Sequence, residues 1–123
     1  MSGSTTEYAG APATRCFRML SAAASTQDAL AFDGPACLRS IQGFNAKAAT
    51  VFIKLYDKVT APASTDTPVK TIAVPASAAF VFDFGAGFTF RKGLGFRITT
   101  AVADADTGAL LAADVLALNL DCS

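Results

Sequence analysis

Apolar side chains recur at every second position through most of this chain. That period belongs to a strand whose two faces meet different surroundings. Residues 49–57 (ATVFIKLYD) carry it most clearly. Val51, Ile53 and Leu55 share one face. Phe52, Lys54 and Tyr56 share the other, where Lys54 is expected to reach solvent. Residues 79–84 place Phe80, Phe82 and Phe84 opposite Val81 and Asp83. Residues 94–102 align Leu94, Phe96, Ile98 and Thr100, and residues 115–121 align Leu116, Leu118 and Leu120 inward. Residues 14–21 and 36–44 alternate less regularly, and residues 69–74 read as a short strand between Pro68 and Pro75.

Turn residues separate these runs. Gly34–Pro35, the segment VTAPASTDTP, Gly93 and the segment ADADTG at 103–108 all read as turns or loops. The GAG at 85–87 predicts a turn because glycine tolerates positive φ, with Phe88 and Phe90 resuming the alternation. Gly43 is a candidate bulge. The sum is about seven or eight short strands with frequent turn signals, the pattern of an antiparallel sandwich or barrel. One helical alternative competes: Leu110, Leu111, Val115 and Leu118 line one helical face over 109–118. Residues 20–31 are rich in Ala, but Ser25, Thr26 and the nearby Gly–Pro oppose a long helix.

Composition narrows the class. The chain has 123 residues, which suits one domain. Residues 1–13 are small and polar, with Gly3, Gly10 and Pro12, and read as an extended N-terminal arm on a single domain over 14–123. Charged residues make up 16% against a usual value of about 25%. Frequent Ala explains part of the apolar excess. Charge depletion at interfaces explains the rest, so a homo-oligomer or a larger assembly is expected. Net charge is zero with no basic block, which gives no support for nucleic-acid binding. Apolar runs fall short of the ~18 residues of a membrane helix, and the first ten residues lack the features of a secretory signal. The three cysteines, Cys16, Cys37 and Cys122, match no zinc spacing and read as reduced, buried thiols. A Cys16–Cys37 bridge is the alternative for a product that leaves the cell, if the two sit on neighbouring strands.

Candidate chemistry is sparse. The sequence contains no histidine, which removes Ser–His–Asp and Cys–His catalysis. Most carboxylates fall at strand ends or in loops, where aspartate caps turns. Asp83 reads as an outward residue of its strand. Asp104 and Asp106 have the spacing that opens a calcium loop, but the position where such a loop places glutamate is Val115, so they are only weak metal candidates. Glycines 85, 87, 93 and 95 lie between phenylalanine runs and not before a helix, so no phosphate loop is expected. The expectation is a protein without a cofactor that is not an enzyme. Ten phenylalanines and no tryptophan point to core and interface use, with Tyr56 the main ring for stacking on a sugar.

Several segments together resemble a family of small tailed-phage and prophage proteins. They are FIKLYDK at 52–58, the loop with Ala61–Pro62, and TDTPVKTIAVPA at 65–76. FDFGAGFTFRKGLGFRIT at 82–99 follows, then Ala103, Asp104, Asp106 and Thr107, and a last strand. The resemblance spans roughly residues 44–120. It implies a jelly-roll-like sandwich and a virion-associated structural role, most specifically a capsid decoration or cement protein made in the bacterial cytoplasm. A tail, neck or fibre-base component and a surface carbohydrate-binding module are the alternatives. The implied partners are the major capsid protein or other virion proteins and copies of the chain itself, with a trimer favoured, and neither nucleic acid nor membrane. Tyr8, Pro12, Tyr56, Pro62, Asp66, Phe88 and Leu110 are the expected interface residues.

Overall fold

The computed structural model describes residues 13–123, so Tyr8, Pro12 and all but the last residue of the expected arm lie outside the described residues. The described residues form eight strands and no helix. They are β1 (Arg15–Ser21), β2 (Ala29–Asp33), β3 (Ala36–Asn45), β4 (Val51–Asp57), β5 (Lys70–Val74), β6 (Ala78–Phe90), β7 (Gly93–Thr99) and β8 (Val115–Cys122).

The pairing is nested. β1 pairs with β8, β2 with β7, β3 with β6, and β4 with β5, all antiparallel. This is the pairing of one long hairpin whose tip is the β4–β5 loop. Rolling that hairpin brings β3 against β8 and β4 against β7. The result is two antiparallel four-stranded sheets, ordered β1-β8-β3-β6 and β2-β7-β4-β5.

Period-two patterning drives the sheets face to face. Leu38, Ile41, Leu118 and Leu120 from one sheet and Ile53, Leu55, Phe96 and Ile98 from the other are at most 1% exposed. Each such side chain contributes about 1.5–3 kcal/mol by leaving water. Phe17 of β1 meets Phe96 of β7 edge-on, with centroids 5.5 Å apart, so aromatic packing bridges the two sheets. Phe80 and Phe90 complete the core, and Phe82, Phe84 and Phe88 pack partly buried against it. Lys70 on β5 holds its ammonium over the Phe84 and Phe88 rings at the edge between the sheets.

Four local expectations are corrected. β2 is a strand in a segment the alternation did not single out. The expected turn at GAG is a kink within continuous β6: Gly85 and Gly87 take φ of 61° and 106°, and the β3 register shifts between Leu38 and Ser40. A Cβ on Gly87 would lie 2.2 Å from Cys37 Sγ, so only glycine fits there. The helical alternative over 109–118 is absent, because that segment is an irregular loop leading into β8. Within β8, Ala117 has φ 51° and breaks the alternation, so Val115 is buried and Leu116 is not turned inward as expected. The matching irregularity on β3 falls between Gln42 and Phe44, at the expected bulge residue Gly43.

Candidate interaction surface

The outer face of β2-β7-β4-β5 carries polar side chains at its centre. Lys54 on β4 stands directly opposite Arg97 on β7, and both are at most 1% exposed. This corrects the expectation that Lys54 reaches solvent. The loop from Thr100 to Asp114 lies over this face. Its Ala103 carbonyl accepts from Lys54 Nζ, and its Asp106 carbonyl accepts from Arg97 Nη2 at 2.9 Å. Arg97 Nε donates to Asp28 at 3.0 Å, and Arg97 Nη1 donates to the Tyr56 hydroxyl at 3.4 Å. Burial lowers the Lys54 ammonium from its ordinary value, and adjacent Arg97 pushes the same way against the pull of Asp106. Burial also opposes the Arg97 charge, but its hydrogen bonds to Tyr56 and Asp28 outweigh it and raise that group.

Several expected site residues are turned into the chain, Tyr56 as part of the polar cluster. Tyr56 is 1% exposed, so its ring is not presented to a sugar or a partner. Pro62 is buried against the same face, where a Cβ on Gly95 would lie 3.0 Å from Pro62 Cδ. Leu110 is buried in the core. Asp66 is half-buried and takes Lys58 at 2.7 Å and the Ala63 amide at 2.8 Å. Those two hydrogen bonds hold its carboxyl below the usual carboxylate range. Phe88 is partly buried beneath Lys70.

The aspartates close turns. Asp106 Oδ2 accepts from the Ala101 and Gly108 amides at 3.2 and 3.0 Å, which draws its loop into a ring. Among the described residues, no three His, Cys, Asp or Glu side chains gather in a way that could hold a metal ion. Asp83 is exposed, as its strand position predicts, and accepts from the Gly85 amide at 2.8 Å. Asp57 accepts the amides of Arg91, Lys92 and Gly93 and so clasps the β6–β7 turn. The three cysteines are unpaired, with Cys16 exposed and Cys122 buried. β8 lies between β1 and β3, so Cys16 and Cys37 are not on neighbouring strands.

Among the described residues, no segment covers the outer face of the second sheet, β1-β8-β3-β6. Its register sets side chains in rows across the four strands. Arg18, Asn119, Gln42 and Val81 form one row. Cys16, Asp121, Ser40 and Asp83 form the next. Phe44 with Leu116 and Ala79, flanked by Leu20, forms an apolar row at the far side. Leu20 and Val81 are each 70% exposed and Phe44 is 39% exposed. Asp121 accepts from Ser40 Oγ at 3.0 Å and from Gln42 Nε2 at 2.7 Å, which stiffens the middle of the face.

Sequence reasoning missed both features. The burial of Lys54 had a signal, since Val51–Phe52–Ile53 and Leu55–Tyr56 are apolar on both faces of the strand, the mark of a strand covered on both sides. The rows on the second sheet depend on pairing between strands far apart in the chain, which no single strand reveals.

No protein-family model matches this chain, and neither a curated protein nor a solved structure matches it.

Proposed function

We propose that this protein is a non-catalytic structural component of a virion, most specifically a decoration or cement protein on the head of a tailed bacteriophage. The observation that carries the reading is the nested strand pairing. The order β1-β8-β3-β6 against β2-β7-β4-β5 supports a jelly roll, an architecture of eight strands and two Greek keys used by viral capsid and lectin domains. A fold hosts many functions, so the reading rests on this order together with the phage-like motif string over residues 44–120.

The physical work of such a protein is to bury surface between neighbouring subunits. The exposed apolar residues Leu20, Val81, Val102 and Leu111 supply contact area of that kind. Shell symmetry multiplies a modest contact into strong retention. The major capsid protein is the proposed partner, and the particle is the proposed location. With Tyr56 buried, the carbohydrate-binding alternative loses the ring it relied on.

Particles assembled with and without this chain test the reading. Added back to particles that lack it, the purified protein is expected to co-sediment with heads at hundreds of copies and to restore resistance to heat and low salt. Heads that bind none of it, and withstand heat and low salt equally well without it, would overturn the decoration role. A stoichiometry of three, five, six or twelve per particle would assign it to the tail or neck instead.

A further inference from the structure

We infer that residues 101–107 are an internal occupant of a cationic site, and that their release opens Lys54, Arg97 and Tyr56 to a phosphate-like oxyanion. The inference does not depend on where the protein acts. It comes from how this lobe of the Thr100–Asp114 loop is attached and from what lies beneath it.

No buried apolar side chain holds the lobe down. Ala101, Val102, Ala103 and Ala105 are all exposed, and the next residue to enter the core is Leu110. The Thr100 amide donates to the Gly108 carbonyl at 3.2 Å and closes the neck. The Asp106 carboxylate holds the ring together from inside through the Ala101 and Gly108 amides. The adjoining Thr99 hydroxyl donates to the Ala101 carbonyl at 2.8 Å. Among the described residues, the other hydrogen bonds from the sheet to the lobe are those of Lys54 to the Ala103 carbonyl and of Arg97 to the Asp106 carbonyl. A segment tied by a few polar contacts opens locally while the strand ladders stay formed.

Beneath the lobe stand three donors on one face. Lys54 and Arg97 are directly opposed on β4 and β7, where paired Cα atoms lie about 4.5–5.5 Å apart. Asp28 takes Arg97 Nε, which leaves Nη1 for the Tyr56 hydroxyl and Nη2 for the lobe. The Tyr56 hydroxyl accepts from Arg97 and keeps its own proton to donate. Cationic donors bind an oxyanion more strongly than a neutral carbonyl, so the Ala103 and Asp106 carbonyls hold the places of an anion's oxygens. Charge points the same way. The lobe carries Asp104 and Asp106 and no cation. Its release removes both carboxylates and leaves Lys54 and Arg97 against Asp28, with Asp66 already held by Lys58. The face thus turns net positive as it opens, and two like charges regain water.

Inorganic phosphate, titrated against chloride at constant ionic strength and followed by nuclear magnetic resonance, tests this. In the wild-type chain the Arg97 side-chain signals and the amides of Ala103 to Asp106 are expected to move together and saturate. Lys54→Met abolishes the response while thermal unfolding shows that the variant folds. Asp106→Ala unties the ring and tightens phosphate binding about tenfold, because a site closed most of the time binds more weakly in proportion to the fraction open. Arg97 signals that do not saturate, lobe amides that stay in place while Arg97 responds, a response that survives Lys54→Met, or a folded Asp106→Ala that binds no more tightly would overturn the inference.

Discussion

Lys54 and Arg97 face each other across the β4–β7 ladder with both cationic side chains buried beneath the loop that follows β7. Like charges placed directly opposite on a sheet repel, and burial strengthens that repulsion. Arg97 has Asp28 and the Tyr56 hydroxyl as partners, whereas Lys54 has a single backbone carbonyl, that of Ala103. The Lys54 ammonium is the costlier of the two.

Replacing it with an apolar side chain of similar length should therefore not weaken the protein. Lys54→Met is expected to be neutral or stabilising by about 1–2 kcal/mol at neutral pH in urea unfolding. The pH dependence has a definite sign. Burial lowers the Lys54 pKa below its unfolded value of 10.5, so between the two values the unfolded chain holds more protons. Wild-type stability gains from this group as pH rises toward 10.5, and Lys54→Met should lack that gain. A variant losing several kcal/mol would show that the ammonium holds the loop in place.

Cys122 carries the opposite alkaline dependence. Burial pushes its thiol up from 9.0 to about 12. The neutral thiol therefore contributes stability that is fully present below pH 9 and is lost as pH rises toward 12. Cys122→Ala should flatten that loss and, by leaving a small cavity, cost about 1–3 kcal/mol at neutral pH. In the folded wild type, a thiol reagent at pH 8 should label exposed Cys16 and reach Cys122 only on unfolding.

Asp57 sets the acid side. Burial works against its carboxylate, but the Lys92, Arg91 and Gly93 amides outweigh that and lower its pKa below 3.8. Its stability contribution is present above pH 3.8 and lost as pH falls through the lowered value. Asp57→Ala leaves those amides unclasped and should cost about 1–3 kcal/mol in denaturant titrations, with Asp57→Asn recovering part of the loss. An unchanged midpoint for Asp57→Ala would contradict the clasp.

Much of this fold is legible in the alternation. The core-facing sides of β4, β6 and β7 follow from Ile53 and Leu55, Phe80 and Phe82, and Phe96 and Ile98. What failed to show has local causes. β2 is five residues long (ALAFD), and its one charged residue sits at the end, so it carries almost no period. Ala117 offers no hint of a positive φ, because alanine rarely adopts it, and the face of Leu116 turns on that residue. The candidate surface was harder still. Tyr56 reads as an exposed anchor only while the loop over it is unseen, Leu110 only while the docking of its own loop into the core is unseen, and the rows on the second sheet exist only once β1, β8, β3 and β6 are aligned.

Ala113 offers a direct check on that backbone reading. Its φ is 61°, a conformation that favours glycine over any residue with a Cβ. Ala113→Gly should raise stability by about 0.5–1 kcal/mol in spite of the greater freedom glycine gives the unfolded chain. A loss of that size would contradict the left-handed conformation in the turn before β8.

The most direct test of the proposed role is a density map of a phage particle whose genome encodes this chain. A decoration protein should show there as a rolled eight-stranded domain, repeated across the head lattice and seated on the major capsid protein, with no substrate-filled cavity. Particles whose density has no place for the domain, while the free protein turns over a substrate, would contradict it.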